Sequence, residues 1–379
     1  MVISKLQDRK ADKFKDWEIK SLLDLVNYTN GKAHEQCISD SGQYIVVNSK
    51  FISTEGQIRK YSNAQLCAAV RNDILMVMSD VPNGRAIAKC YWVEKDNAYT
   101  VNQRICILSP KKVDGKFLYY KLNRNKYFLS FDDGAKQTNL RKDEVLKCPL
   151  WIPKNLAEQK AISIALSDVD SLIDSLEELI EKKRNFKLAT MQELLTGKTR
   201  LPGFADEWEE KKLGEILIIR HGKNQSKVED ENGLYPILAS GGQIGKSSLP
   251  LYDKPSVLIG RKGTINRPRY IDIPFWTVDT LFYSEMKNGN IAKFFYYRFL
   301  LIDWMKYNEA SGVPSLNAKT IESIEIICPK PTEQNAISSV LSDLDFEIEA
   351  LQQQLSKTKN LKIGMLQELL TGKTRLVDI

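Results

Sequence analysis

The sequence is poor in the residues on which metal and redox chemistry depend. It has two histidines, His34 and His221, and six cysteines, Cys37, Cys67, Cys90, Cys106, Cys148 and Cys328, none in a CxxC pair. Metal-ligand spacing is therefore missing, and the cysteines read as reduced thiols that pack like small hydrophobes. Long apolar runs are missing too. The most apolar stretch, 294–304, is interrupted by Arg298 and Asp303, whereas a membrane span needs about 18 or more apolar residues in a row. The first residues, among them Lys5, Asp8, Arg9, Lys10, Asp12 and Lys13, lack the apolar centre of a signal peptide. A cytoplasmic chain with no membrane partner is the expectation.

Catalytic motifs fail on spacing. Gly241-Gly242-Gln243-Ile244-Gly245-Lys246-Ser247 imitates a phosphate loop, but that loop needs a glycine five residues before the Gly-Lys pair, where Ser240 stands. Gly197-Lys198-Thr199 and Gly372-Lys373-Thr374 have Gln192 and Gln367 at that position and follow a helix, so they read as helix stops. No Pro-Pro dipeptide, HExxH or GxSxG occurs, and Glu18-Ile19-Lys20 and Glu285-Met286-Lys287 have no preceding Pro-Asp. A chain without its own active site is expected, with no bound cofactor or metal.

What the chain does contain is a repeat. Residues 158–201 align without a gap to residues 333–376 at an offset of 175, with 24 identities in 44 positions. Fainter echoes surround it: Trp17 and Gly31-Lys32 match Trp208 and Gly222-Lys223, while Thr100-Val101 and Lys116-Phe117-x-Tyr119-Tyr120 match Thr277-Val278 and Lys293-Phe294-x-Tyr296-Tyr297. A duplicated scaffold with diverged loops is what two domains show when they keep a fold and change what they bind. A length of 379 residues with 42% hydrophobic content suits two globular domains.

Both repeat blocks carry a helical seam. Ile162, Leu166, Val169, Ile173, Leu176 and Ile180, and again Ile337, Leu341, Leu344, Ile348, Leu351 and Leu355, follow a 4-3-4-3-4 spacing. Asn155 with Glu158 resembles a capping box, Pro331 suits a first helical turn, and Gly197 and Gly372 suit left-handed stops. The link from Gly197 to Phe204 is short, so the second helix must run back along the first. That antiparallel pair is expected to stack Ile162 on Leu355, Leu166 on Leu351 and Val169 on Ile348, and to bring Gly372 beside residue 14.

Charge separates the parts. Residues 157–196 carry 5 basic and 8 acidic side chains, and residues 332–371 carry 3 and 6, so each helix is −3; removing both from the total of +7 leaves +13 on the rest. A positive field on the globular parts suits phosphate binding. Candidate DNA contacts in the first domain are Lys32, Asn48, Lys50, Asn83, Arg85, Asn102, Gln103 and Arg104. In the second they are Arg220, Lys223, Ser240, Gln243, Lys246, Arg261, Lys262, Thr264, Asn266 and Arg267. Lys and Arg supply charge, and Asn, Gln and Arg can pair with base edges.

Taken together, the chain resembles the specificity subunit of a Type I restriction-modification system. The resemblance rests on two spacers that open with Glu-Gln (158–159, 333–334) and close with QELLTGKTRL (192–201, 367–376). It extends to Tyr235-Pro236-Ile237, Arg261-Lys262-Gly263-Thr264-Ile265 and Pro274-Phe275-Trp276-x-Val278-Asp279-Thr280, with Asn266 standing where a glycine is expected. It implies an α+β fold in which two target recognition domains are separated by two long antiparallel coiled-coil helices, with an internal pseudo-two-fold repeat. The expected segments are 1–153 and 198–330 for recognition, 154–197 for the first helix, and 331–379 for the second helix and tail. It further implies that each domain reads half of a split, asymmetric double-stranded DNA target and that the helices fix the gap. Two modification subunits making an adenine-N6 methyltransferase and two ATP-driven restriction subunits would be partners, holding S-adenosylmethionine, ATP and magnesium. The alternatives are a stand-alone bipartite DNA-binding regulator, a divergent methyltransferase or nuclease, and a structural coiled-coil adaptor.

Overall fold

The computed structural model describes residues 15–81 and 84–376. Four helices organise the chain: α1 (Gly115–Leu122), α2 (Leu156–Leu194), α3 (Ala292–Leu300) and α4 (Pro331–Leu369). The two long helices, each of 39 residues, begin two residues before the repeat blocks and end three residues before Gly197 and Gly372. Pro331 is the first residue of α4. Gly197 and Gly372 take φ of +74° and +75°, the left-handed conformation that ends a helix and that other residues adopt only with strain.

The chain divides into two compact units, Met1–Ser175 with Leu355–Ile379, and Leu176–Gln354. Both are built on one plan. In the first unit Trp17–Ser21 pairs with Pro149–Pro153, and an antiparallel sheet runs in the order Val26–Asn30, Ile105–Pro110, Ile74–Val77, Cys90–Trp92. A second sheet is centred on a parallel pair, Tyr44–Val47 with Tyr99–Val101. In the second unit Glu209–Lys212 pairs with Glu325–Cys328, the antiparallel sheet runs Leu217–His221, Leu281–Met286, Ser256–Gly260, Arg269–Ile271, and the parallel pair is Tyr235–Ala239 with Trp276–Thr277. The echoed Gly-Lys steps sit at matching places. A Cβ on Gly31 would lie 2.0 Å from the Asn102 carbonyl oxygen, and one on Gly222 2.0 Å from that of Val278. Both backbones run too close to the parallel strand for any other residue.

The opening of one long helix and the close of the other complete each core. Ile162 and Leu166 join Leu369 and Leu370, with Met365 and Leu366 against them, among the residues of the first unit's core. Ile337 and Leu341 meet Met191, Leu194 and Leu195 in the second. The expected stacking of Ile162 on Leu355 is therefore replaced by a register in which Ile162 meets the end of α4. A palindromic spacing is satisfied by several registers, so polar partners decide among them. Asp170 pairs with Lys362 and Glu158 with Arg375 in the first unit; Asp345 pairs with Lys187 and Glu333 with Arg200 in the second. Within each unit the partner number falls as the residue number rises, so the paired segments run antiparallel. All twelve seam residues are buried or half-buried.

Glu158 does not close a capping box. Its fully buried carboxylate accepts from the Arg375 guanidinium and, at 3.3 Å, from the Trp17 indole N–H, while Asn155 Oδ1 accepts from the Ala157 amide. Glu333 repeats the arrangement, accepting from Arg200 at 2.7 and 2.6 Å and from Trp208 at 3.2 Å. The carboxylate bond raises the pKa of each arginine above its usual value. A bonded ion pair in a low-dielectric site outcompetes one more helix cap. The adjacent glutamines act as clamps: Gln159 Oε1 accepts from the Asp114 amide and Gln334 Oε1 from the Ile291 amide. Trp17 lies against Gly372, and Trp208 against Gly197; residue 14 falls outside the described residues. The echoed tyrosines join the same frame, with Tyr120 and Tyr297 each donating at 2.7 Å to Asp170 and Asp345.

Arg375→Ala strands the buried Glu158 carboxylate and is expected to cost about 3 kcal/mol of stability. Glu158→Ala combined with it should cost less than the two single losses added together. Urea denaturation of the four proteins in this cycle measures the coupling, and strictly additive losses would contradict the joint described above.

Candidate nucleic-acid interface

Most of the candidate residues lie in loops at the ends of the central strands, and backbone hydrogen bonds tie those loops together. In the first unit Lys32 bridges to Asn102 and its amide donates to the Val101 carbonyl, while the Asn102 amide donates to Val47, the residue before Asn48. The Met78 amide donates to the Arg104 carbonyl, which brings the loop after Ser79–Asp80 alongside. Lys32, Lys50, Arg85, Gln103 and Arg104 reach solvent there, fully or in part. Asp80 lies in this region, and its carboxylate is occupied by the amides of Val81, Ala86 and Ile87. Asn83 lies outside the described residues.

Asn48 has a different position from its loop neighbours. It caps the short helix Ser49–Ser53, its Oδ1 accepting from the Phe51 amide at 2.9 Å. Behind Lys32 stands His34, fully buried, with its two ring nitrogens 2.6 Å from the Lys32 carbonyl and 2.6 Å from Thr100 Oγ1. The few histidines thus include one that shapes a loop.

The second unit assembles its candidates in the same way. The Lys223 amide donates to the Thr277 carbonyl, and the Lys223 carbonyl accepts from the Trp276 indole. Gln243 is paired with Leu238 across the hairpin that carries Lys246. Ser240 Oγ lies 3.5 Å from where a Gly263 Cβ would be, so the turn at 240–242 meets the loop 261–267 that holds Lys262, Thr264, Asn266 and Arg267. The Arg261 guanidinium donates to the Asp279 carbonyl. Arg220 is spent locally, 3.0 Å from Glu285 on the neighbouring strand. By contrast, Lys32, Lys50, Arg85, Arg104, Lys223, Lys246, Lys262 and Arg267 have no ion-pair partner among the described residues. Unpaired exposed cations are free to meet phosphates.

Sequence reasoning missed one loop in each unit. Thr138–Asn139 pairs with Ser79–Asp80, and Ser315 bridges to Lys262, at equivalent places in the two folds. In the second unit the Gly263 amide donates to Pro314 and the Leu316 amide to Arg261. In the first, Asn30, Gln103, Arg104, Gln137, Asn139 and Lys142 line an open groove of ≈ 440 Å³ floored in part by Met78 and Leu140. The Lys142 ammonium stands 5.4 Å from the Tyr28 ring centroid. Turn composition at Asp132-Asp133-Gly134 and Ser311-Gly312-Val313-Pro314 signals loops, but nothing local says where they land.

Among the described residues no group of three or more His, Cys, Asp or Glu could hold a metal ion. No described helix is long and apolar enough to cross a membrane. Five of the six cysteines are buried, and burial pushes the Cys106 and Cys148 thiols up to about 12. They are packing groups held as thiols.

The family model of the Type I restriction modification DNA specificity domain matches residues 14–183 and 205–359. The chain belongs to this family of specificity subunits. It is 24% identical over 410 residues to the MjaVIII specificity subunit of a type I restriction enzyme from Methanocaldococcus jannaschii, covering 96% of this chain and 94% of that protein. It is 25% identical over 283 residues to a putative type I specificity subunit of Mycoplasma pneumoniae, covering 69% and 70%. The fold is similar to that of the S subunit from M. genitalium, with a TM-score of 0.65 at 21% identity over 93% of this chain and 96% of that one. A chain solved in work on assembly of the type I R-M system gives 0.54 at 15% identity, covering 94% and 97%. This chain therefore shares its two-unit mixed fold with that S subunit.

The cap at Asn48 separates scaffold from surface in one position. Asn48→Ala is expected to lower stability by about 1 kcal/mol, and Asn48→Asp, which keeps the accepting oxygen, to retain most of it. Thermal melting of the two variants decides, and an unchanged Asn48→Ala melt would contradict the capping role.

Proposed function

We propose that this specificity subunit binds double-stranded DNA, each unit reading one half of a split, asymmetric target. The observation that carries this reading is the repetition of one strand topology with different loop chemistry. The frame is the same twice, down to the glycine beside the parallel strand, while the loops that hold the candidate contacts share few residues. Equivalent readers with unlike loops suit two unlike half-sites. The unpaired lysines and arginines around those loops supply the phosphate attraction, and the neighbouring amides supply base discrimination.

In this reading the long helices are the ruler. Each of 39 residues spans about 60 Å at 1.5 Å per residue. Two weak readers gain from each other only when both half-sites lie at the right distance and rotational phase. The acidic helices would also carry two modification subunits, which form the adenine-N6 methyltransferase, and two restriction subunits would join for ATP-driven cleavage. S-adenosylmethionine, ATP and magnesium then belong to those partners, this chain is non-catalytic, and the complex works in the cytoplasm. The missing pocket motifs and the thiols held by burial support that division of labour.

Four residues inserted into one long helix are expected to change or abolish the preferred gap while leaving each half-site preference intact. Binding to duplexes of graded gap length measures this, and an unchanged gap preference would contradict the ruler.

A further inference from the structure

The groove of the first unit contains a pair of amides with a definite complement. Gln137 Nε2 donates to Ser79 Oγ at 2.7 Å and to Asn139 Oδ1 at 3.2 Å. Ser79 is almost fully buried, so it holds Gln137 from behind. The loop that delivers the pair is itself fixed. Thr138 Oγ1 and the Gly134 amide donate to Asp132 Oδ1, the Ala135 amide donates to Asp133, and the Leu140 amide donates to the Met78 carbonyl.

These bonds use both N–H donors of the Gln137 amide and one lone pair of the Asn139 oxygen. What they leave, with no partner among the described residues, is the Gln137 carbonyl oxygen as acceptor and the Asn139 amino group as donor. Turning both amides over exchanges the two roles and leaves the same complement: one acceptor beside one donor. In the major groove adenine offers N7 as acceptor and N6–H as donor, whereas guanine offers two acceptors, N7 and O6. An acceptor–donor edge matches adenine and sets oxygen against oxygen with guanine. Arg104 and Lys142, in the same groove, supply the positive charge for the flanking backbone.

We propose that Gln137 and Asn139 together read one A·T pair, making them specificity-determining residues of the first unit's half-site. The assignment rests on the half-site reading above and deepens it. In the second unit Ser315 and Lys262 hold the corresponding bridge, so the equivalent place carries different chemistry.

The test is selection of bound sequences from a randomised duplex pool by the full chain, wild type and variants, followed by binding measurements on single-base changes. The wild type should require A·T at one position that Gln137→Leu relaxes, reducing discrimination there about tenfold. Gln137→Arg, which presents donors only, should turn the preference at that position toward G·C. The other half-site and the gap should not move. Identical base preferences in wild type and both variants would overturn the assignment. Should Gln137→Leu melt early, Asn139→Ala, at an exposed position, tests the same assignment by the same readout. A wild type that selects no split target would instead remove the half-site reading itself, an outcome separate from a split target that the variants leave unaltered.

Discussion

A buried carboxylate bonded to an arginine and a tryptophan, made twice, is the constraint on which this protein depends. Glu158 with Arg375 and Trp17, and Glu333 with Arg200 and Trp208, bring a helix opening, a helix close and a strand edge to one point. Each partner comes from a different stretch of chain, so no single segment can fold correctly without the others. Taking a carboxylate out of water is costly unless both its oxygens are satisfied, and here a guanidinium and an indole satisfy them. The energy gained is modest, but the specificity is high, because a slipped register would bury the charge unpaired.

That constraint explains why the two spacer motifs are so alike. The glutamate of the opening Glu-Gln and the arginine of the closing Gly-Lys-Thr-Arg are one interaction seen in two places along the sequence. The following glutamine ties the helix to the loop before α1 or α3, and the glycine makes room for the tryptophan. The motif is structural cement. The loops that hold the candidate DNA contacts lie at the other ends of the strands, outside this cement, and can change without disturbing it.

The duplication was legible as a direct match, and both long helices and their stops because they depend on local rules: period and left-handed glycine. The echoed Lys-Phe-x-Tyr-Tyr was legible as a match, though not as the place where Tyr120 and Tyr297 bond the helical aspartates. The helix register was not legible. A palindromic seam fits many registers, and the deciding pairs, such as Asp170 with Lys362, join residues far apart in sequence. Glu158 was misread because an Asn-x-x-Glu pattern has a local meaning that its distant partner overrides. Gln137 and Asn139 escaped notice because polar loops carry no periodicity, and they reach Gln103 and Arg104 only through a two-residue strand pairing.

On the proposed reading, one duplicated frame presents two different readers for one split target. Methylation-site sequencing of DNA from cells carrying this subunit with its modification partners tests it most directly. The expected result is one bipartite motif with two dissimilar halves, a fixed unread gap, and N6-methyladenine in both halves. A contiguous motif, or two identical halves, would contradict it.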